Sequence, residues 1–90
     1  MVKVAIVTGS NKGIGFEIVR SLCAKFDGDV YLTSRNVELG EAAVKLLQNE
    51  GLAPKYHQLD ITDENSIEKL RDSMLSEYGG IDVLINNAGI

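Results

Sequence analysis

An eight-residue segment with three glycines, residues 8–15 (TGSNKGIG), constrains the fold of this chain more than any other feature. It follows the apolar run of residues 2–7 and opens an amphipathic stretch, so we predict a strand, a tight turn and a helix. Glycines let the backbone approach a ligand closely, and a helix amino terminus offers unpaired N–H groups and partial positive charge. A pyrophosphate is the ligand we expect here, although glycines at such a junction also serve purely steric needs.

Short apolar runs alternate with stretches of helical periodicity along the rest of the chain. The predicted strands are residues 2–7, 30–33, 56–59 and 81–85. The apolar stripes of the three predicted helices are Ile14, Ile18, Leu22 and Phe26; then Leu39, Ala43, Leu46 and Leu47; then Ile67, Leu70, Met74 and Tyr78. The predicted helix ends are Gly28, Gly51 and Gly79, and either Thr62 or Asp63 is expected to cap the third helix.

Strands joined by helices lie parallel, because these connections are too long for hairpins and cross over with right-handed geometry. The alternation β-α-β-α-β-α-β predicts an open parallel α/β sheet of order 3-2-1-4, which is an incomplete doubly wound, Rossmann-like fold. The first two helices would cover one face and the third helix the other, leaving the outer edge of the fourth strand uncovered. We therefore expect residues 1–90 to be the amino-terminal, cofactor-binding part of a larger domain.

Composition and charge restrict the classes of function. With 44% apolar and 24% charged residues the chain has the make-up of a globular domain. A net charge of −4 without runs of like charge disfavours a nucleic-acid or membrane surface. Cys23 is the only cysteine, which excludes an intrachain disulfide and a cysteine-based metal site; we expect it to be a small buried apolar side chain. These features predict a cytoplasmic domain without a metal.

Two cations indicate which dinucleotide the glycine segment binds. The segment lacks the Gly-Lys-Ser/Thr of the phosphate loop and the spacing G-x-G-x-x-G, but it keeps their strand–turn–helix position. In dinucleotide folds the residue about 20 positions beyond the glycines meets the adenosine ribose. Arg35 takes this place and Lys12 lies within the glycine segment. Cations suit a 2′-phosphate, whereas an acidic residue would favour NAD. NADP is the predicted cofactor, and two solvated surface cations are the alternative.

Asp60 and Ile61 follow the third predicted strand, where a carboxylate can accept from an adenine amino group and an apolar side chain can lie against the ring. The alternative is that Asp60 joins Thr62 and Asp63 in capping the next helix. His57 has no second histidine or cysteine in register, so we interpret it as structural.

With these residues together, the chain resembles the amino-terminal half of a short-chain dehydrogenase/reductase. Residues 8–15 resemble the cofactor motif of that family and residues 86–89 (NNAG) its strand-four motif, with Asp60 at the usual interval between them. Within the family, residues 8–15, 57–61 (HQLDI) and 77–84 (EYGGIDVL) are most similar to NADPH-dependent carbonyl reductases.

The resemblance implies a role for each matching position. The residues that would enclose the pyrophosphate and the nearby ribose are Gly9, Asn11, Lys12, Gly13, Ile14 and Gly15. Arg35 with Lys12 would bind the 2′-phosphate, and Asp60 with Ile61 the adenine. The residues along the ribose on the nicotinamide side would be Asn87, Ala88 and Gly89. In this family the asparagines also tie strand four to its neighbours by side-chain hydrogen bonds.

The chemistry of the family uses a serine and a Tyr-x-x-x-Lys pair from a later segment. The residues four positions beyond the three tyrosines are Arg35, Asp60 and Asp82, so these 90 residues contain no such pair. We expect a parent protein, monomeric by analogy, that reduces ketones, aldehydes or quinones with NADPH, and no turnover by this chain alone. The alternatives are a self-standing NADP-binding module and a reductase of the same family that acts on a steroid, sugar or acyl substrate.

Overall fold

Seven regular elements build the structure, a computed structural model that describes residues 2–87. In chain order they are β1 (Val4–Val7), α1 (Gly13–Lys25), β2 (Asp29–Ser34), α2 (Val37–Asn49), β3 (Lys55–Gln58), α3 (Glu64–Tyr78) and β4 (Val83–Ile85). All strand pairs are parallel and the sheet order is β3-β2-β1-β4. The predicted α/β architecture and strand order are confirmed.

The sheet separates two apolar cores. On one face, Val19 of α1 and Leu47 of α2 pack with Val7 of β1 and Leu32 of β2. On the other face, Leu70 and Met74 of α3 pack with Ile6 and Tyr31. Successive side chains of a strand point to opposite faces, so β1 feeds both cores and all four of its residues are buried. The predicted distribution of the helices over the two faces is confirmed.

The end of α1 differs from the prediction. The helix ends at Lys25, and Phe26 leaves it in an extended conformation with its N–H bonded to the Leu22 carbonyl at 2.7 Å. Gly28 is therefore not the helix cap. Instead it lies against the start of β1, where an added Cβ would sit 2.9 Å from the Lys3 carbonyl carbon. The glycine is explained by this close approach. Gly79 does cap α3 in a left-handed conformation, as predicted.

Several stripe residues that we expected in the core face solvent. Leu39 and Leu46 of α2 are more than half exposed, because the face that packs on the sheet is shifted by one residue to Gly40, Ala43, Val44 and Leu47. The ring of Tyr56 and the Ser34 hydroxyl occupy the space next to Gly40, so that only a residue without a Cβ fits there. Ile14 and Ile67 are also exposed. Within residues 2–87, no helix combines the length and the apolar character that crossing a membrane requires.

Candidate cofactor-binding site

The carboxyl ends of β1, β2 and β3 open into a cleft of about 690 Å³. Its lining residues are Gly9, Asn11, Lys12, Gly13, Arg35, Leu59, Asp60, Ile61, Thr62 and Asn87. Every predicted site residue that the structure describes is among them except Ile14 and Gly15. The predicted positions Ala88 and Gly89 lie outside the described residues. Segments that are far apart in the sequence thus meet at the sheet edge where open α/β sheets bind their ligands.

The amino terminus of α1 reaches this cleft without a side-chain cap. Lys12 is the N-cap residue, in an extended conformation, and its side chain accepts no backbone hydrogen bond. The other two helices are capped: Asn36 accepts from the Leu39 N–H and Asp63 from the Asn65 N–H, both at 3.0 Å. The first turn of α1 also holds no acidic residue. The N–H groups and positive dipole end of α1 are therefore available to an anion in the cleft.

The three glycines of the segment serve different purposes. Gly9 and Gly13 have φ angles of 56° and 65°, which L side chains rarely adopt. Gly15 is buried beneath the turn, and an added Cβ would lie 2.7 Å from Asn87 Nδ2 and 2.8 Å from the Gly9 carbonyl oxygen. Gly15 thus acts by permitting close packing under the cleft rather than by lining it. Ile14 lies beside the cleft, in a neighbouring hollow on α1.

Asparagine side chains join the end of β4 to the glycine segment. Asn87 donates its backbone N–H to Thr8 Oγ1 at 2.8 Å and its side-chain Nδ2 to the Gly9 carbonyl oxygen at 3.1 Å. Thr8 Oγ1 also bonds to Asn86 Oδ1 at 3.1 Å. The expected tie of the fourth strand by its asparagines is confirmed toward β1, its neighbour in the sheet. It fixes Gly9 and Asn87 together on one wall of the cleft.

Ser10 and Thr33 fix the glycine segment to β2, which the sequence analysis missed. Ser10 Oγ accepts the Thr33 backbone N–H at 2.9 Å and donates to the Val7 carbonyl at 2.8 Å. The Ser10 N–H donates to the Thr33 carbonyl at 2.9 Å, and Thr33 Oγ1 donates to the Val7 carbonyl at 2.7 Å. Ser10 and Thr33 are fully buried. The only available signal was two small hydroxyl residues placed where two parallel strands end.

Lys12 and Arg35 flank the cleft as cations that form no salt bridge within residues 2–87, although the Asp60 carboxylate lies near enough to Arg35 to interact with its charge. Both are exposed, and within residues 2–87 neither side chain forms a hydrogen bond or a salt bridge. The chain therefore places two positive charges beside an uncapped helix terminus and leaves both charges available. This arrangement suits a ligand with more than one phosphate group.

Asp60 is held in a local turn. Its Oδ1 accepts from the Thr62 hydroxyl at 2.6 Å and from the Thr62 N–H at 2.9 Å. These hydrogen bonds lower the pKa of the Asp60 carboxyl, and the charge of Arg35 adds a smaller effect in the same direction. Asp63 alone provides the side-chain cap of α3. The alternative that the Asp60 side chain joins Thr62 and Asp63 in capping α3 is therefore wrong. The second carboxylate oxygen of Asp60, Oδ2, forms no hydrogen bond within residues 2–87.

The titratable groups outside the cleft have structural surroundings. His57 Nδ1 contacts the Gln58 carbonyl at 2.7 Å and its Nε2 contacts Ser73 Oγ at 3.4 Å, in keeping with the structural interpretation. Cys23 packs against the apolar core that α1 and α2 share with the sheet, but it is half-buried rather than buried, and burial raises the pKa of its thiol. Across residues 2–87, no group of three or more His, Cys, Asp or Glu side chains could hold a metal ion.

The family model described as short chain dehydrogenase matches residues 3–90. This chain is a member of the short-chain dehydrogenase family. Among curated relatives of this short-chain dehydrogenase chain, "Carbonyl reductase [NADPH] 1" of Macaca fascicularis is 64% identical over 89 residues, which are 99% of this chain and 32% of that protein. The chain thus spans about a third of the length of the relatives it matches.

Solved structures of the family share the fold. Menthone neomenthol reductase from Mentha piperita superposes with a TM-score of 0.89 at 39% identity, over 100% of this chain and 32% of that one. A metagenomic short-chain oxidoreductase in complex with NADP gives a TM-score of 0.83 at 35% identity, over 98% of this chain and 39% of that one. These similarities agree with the parallel sheet described above.

Proposed function

We propose that this short-chain dehydrogenase chain is the NADP(H)-binding part of a reductase of carbonyl compounds. The main support for it is the pair of cations, Lys12 and Arg35, which flank the cleft at the uncapped terminus of α1 and whose side chains form no hydrogen bond or salt bridge in residues 2–87. The similarity to carbonyl reductases whose names include NADPH, and to an oxidoreductase solved with NADP, supports the same cofactor.

The residues of the cleft fit a dinucleotide with a 2′-phosphate. The turn around Gly9, Asn11 and Gly13 would hold the pyrophosphate against the first N–H groups of α1. Arg35 and Lys12 would bind the 2′-phosphate; the adenine amino group would donate to Asp60, and its ring would lie against Ile61. Bound NADPH supplies a hydride from its nicotinamide C4 to a carbonyl carbon. We assign the ribose on the nicotinamide side to Asn87, Ala88 and Gly89, and a contact near the cofactor to Ile14.

The cofactor assignment is tested by removing both cations in the intact protein. Charge-assisted hydrogen bonds contribute about 1.5–3 kcal/mol each, so Lys12→Ala with Arg35→Ala, which removes two, should weaken NADPH binding by roughly a hundredfold to ten-thousandfold. NADH binding should change little, because NADH has no 2′-phosphate. Titration calorimetry or nicotinamide fluorescence gives both dissociation constants.

A matched control removes two exposed lysines of the helices, Lys45→Ala with Lys69→Ala, which changes the net charge equally. The control should leave both dissociation constants unchanged. An equal loss of NADPH and NADH affinity in the Lys12/Arg35 variant would mean that the pair does not recognise the 2′-phosphate.

We also propose that residues 1–90 lack the catalytic machinery of the reductase. They contain no Tyr-x-x-x-Lys pair, and on the β4 side of the sheet the apolar side chains of Ile67, Ile81 and Leu84 are exposed, Leu84 to 58%. Large apolar side chains at the edge of a sheet are normally covered. A purified 90-residue chain should bind NADPH but show no turnover with a reactive dicarbonyl, and a measurable rate would contradict this.

The coding sequence beyond Ile90 distinguishes the reductase from a self-standing NADP-binding module. A serine and a Tyr-x-x-x-Lys pair farther along would support the reductase, whereas a stop codon after Ile90 would support the module. The substrate class follows from assays of the intact protein. We expect reduction of ketones, aldehydes or quinones; activity confined to a steroid, sugar or acyl substrate would place the protein elsewhere in the family.

A further inference from the structure

Gln58 lies between the two parts of the cleft that would recognise the adenosine end of the cofactor. It is the last residue of β3 and pairs in register with Ser34, the last residue of β2. Arg35 follows Ser34 directly, and Asp60 lies two residues beyond Gln58. The backbone ladder of the two strands continues by one more bond, from the Leu59 N–H to the Ser34 carbonyl at 2.9 Å. Beyond that bond, Arg35 and the Asp60 turn are connected within residues 2–87 through side chains.

The side-chain link has a defined direction. Gln58 donates from Nε2 to the Arg35 carbonyl oxygen at 3.2 Å, and its Oε1 accepts from Ser66 Oγ at 3.3 Å. Ser66 Oγ in turn accepts the Asp60 backbone N–H at 2.8 Å. A serine hydroxyl has one proton to donate. Because the Asp60 N–H already points at the oxygen of Ser66, the hydroxyl proton is directed to Gln58 Oε1. The amide NH₂ group of Gln58 is therefore directed to Arg35.

The link is anchored at its buried end. Ser66 is 5% exposed and Gln58 is half-buried, whereas Arg35 and its hydrogen bond with Gln58 lie at the surface. The Arg35 side chain has no hydrogen-bond partner of its own in residues 2–87, so its placement depends on how its backbone is held. Gln58 bonds to that backbone without lining the cleft itself.

We propose that Gln58 is a positioning residue for 2′-phosphate recognition, because it fixes the Arg35 main chain relative to the Asp60 turn through Ser66. This inference rests on the proposed function. It assigns to Gln58 a share of the preference for NADPH over NADH, exerted through Arg35. It also distinguishes Gln58 from a residue that stabilises the fold in general, which would affect both dinucleotides equally.

The test is a double-mutant cycle in the intact protein. Gln58→Met keeps an unbranched side chain of similar length and removes both hydrogen bonds. Loss of the bond to the Arg35 carbonyl should raise the dissociation constant of the Gln58→Met variant for NADPH by about 3- to 10-fold. The dissociation constant for NADH should change by less than about twofold. In the Arg35→Ala background, Gln58→Met should have no further effect on NADPH binding, since residues that act as one unit are not additive.

Two further variants keep the test decisive. Gln58→Asn retains the amide but is one methylene shorter, so it should give the same selective loss if Gln58→Met fails to fold. Gln48→Met, at an exposed glutamine of α2, is the matched control and should leave both affinities unchanged. If wild type binds NADPH no better than NADH, the proposed function and this inference both fail. Two results would overturn only the role of Gln58, provided that wild type prefers NADPH. One is that Gln58→Met weakens the binding of NADPH and NADH equally. The other is that Gln58→Met weakens NADPH binding as much in the Arg35→Ala background as in wild type.

Discussion

Replacing Ser10 with alanine would test whether buried hydroxyl groups hold the glycine segment against the sheet. The hydroxyl of Ser10 has no solvent exposure and lies at the junction of β1 and β2. Alanine removes the oxygen that accepts the Thr33 N–H at 2.9 Å and the proton donated to the Val7 carbonyl at 2.8 Å. The backbone bond from the Ser10 N–H to the Thr33 carbonyl is unaffected by the change.

The two losses have different free-energy costs. The Val7 carbonyl keeps the Thr33 hydroxyl as a donor at 2.7 Å, so the loss on that side is small. The Thr33 N–H instead becomes a buried donor without its acceptor, which costs about 1–3 kcal/mol. The free energy of unfolding should therefore fall by about 1–3 kcal/mol in Ser10→Ala. In Thr33→Val the Val7 carbonyl keeps the Ser10 hydroxyl, so the fall should be smaller.

Urea unfolding of the intact protein measures both changes, with Ser76→Ala at an exposed serine of α3 as the control. The midpoint should decrease in Ser10→Ala at an unchanged m-value, because the mutation alters stability and not the surface exposed on unfolding. A fall of less than ~0.5 kcal/mol, the usual range for an exposed substitution, would refute the reasoning. It would mean that the Thr33 N–H has another acceptor or reaches water.

Two further predictions concern the packing under the cleft and the opposite end of the sheet. Gly15→Ala places a Cβ 2.7 Å from Asn87 Nδ2, so it should break the bond from Asn87 to Gly9 and lower NADPH affinity by roughly tenfold or more. Ser76→Ala, at an exposed position of α3, should leave this affinity unchanged in the same titration. The Tyr78 hydroxyl and the Lys55 ammonium group both donate hydrogen bonds to Asp29. They lower the pKa of its carboxyl below the usual 3.8, and Tyr78 has the larger effect. A depressed pKa in the folded state stabilises the fold above the unfolded-state pKa, and this stabilisation is lost as pH falls through the folded-state pKa. Thermal melts of wild type below about pH 4 should therefore lose more stability than those of Asp29→Asn, and parallel curves would show that Asp29 does not contribute.

The periodicity of the sequence predicted the elements well and their faces less well. All strands and helices occur in the predicted order, because alternation of apolar runs and helical stripes depends on local spacing. Leu39 and Leu46 were expected in the core but are exposed. Periodicity shows which residues share a side of a helix, but the width of the buried strip depends on what lies opposite. In α2, that is the ring of Tyr56 beside Gly40.

The residue types of the site and their order along the chain can be read from the sequence alone: a glycine turn between strand and helix, a cation after the second strand and a carboxylate after the third. Parallel strands bring their carboxyl ends to one edge, so these residues could be predicted to meet. The residues that do line one cleft include Gly9, Asn11, Lys12, Gly13, Arg35, Asp60 and Asn87.

The contacts that hold the cleft together depend on how the strands and helices pack. The contacts of Ser10 with Thr33, of Gly15 with Asn87, and of Gln58 with Arg35 and Ser66 each join segments that are far apart in the sequence. Hydrogen bonds and close packing of this kind require the distance between separate segments to be right to within a few tenths of an ångström. Residue type and spacing along one chain do not specify those distances, because they arise only when the strands and helices are packed together.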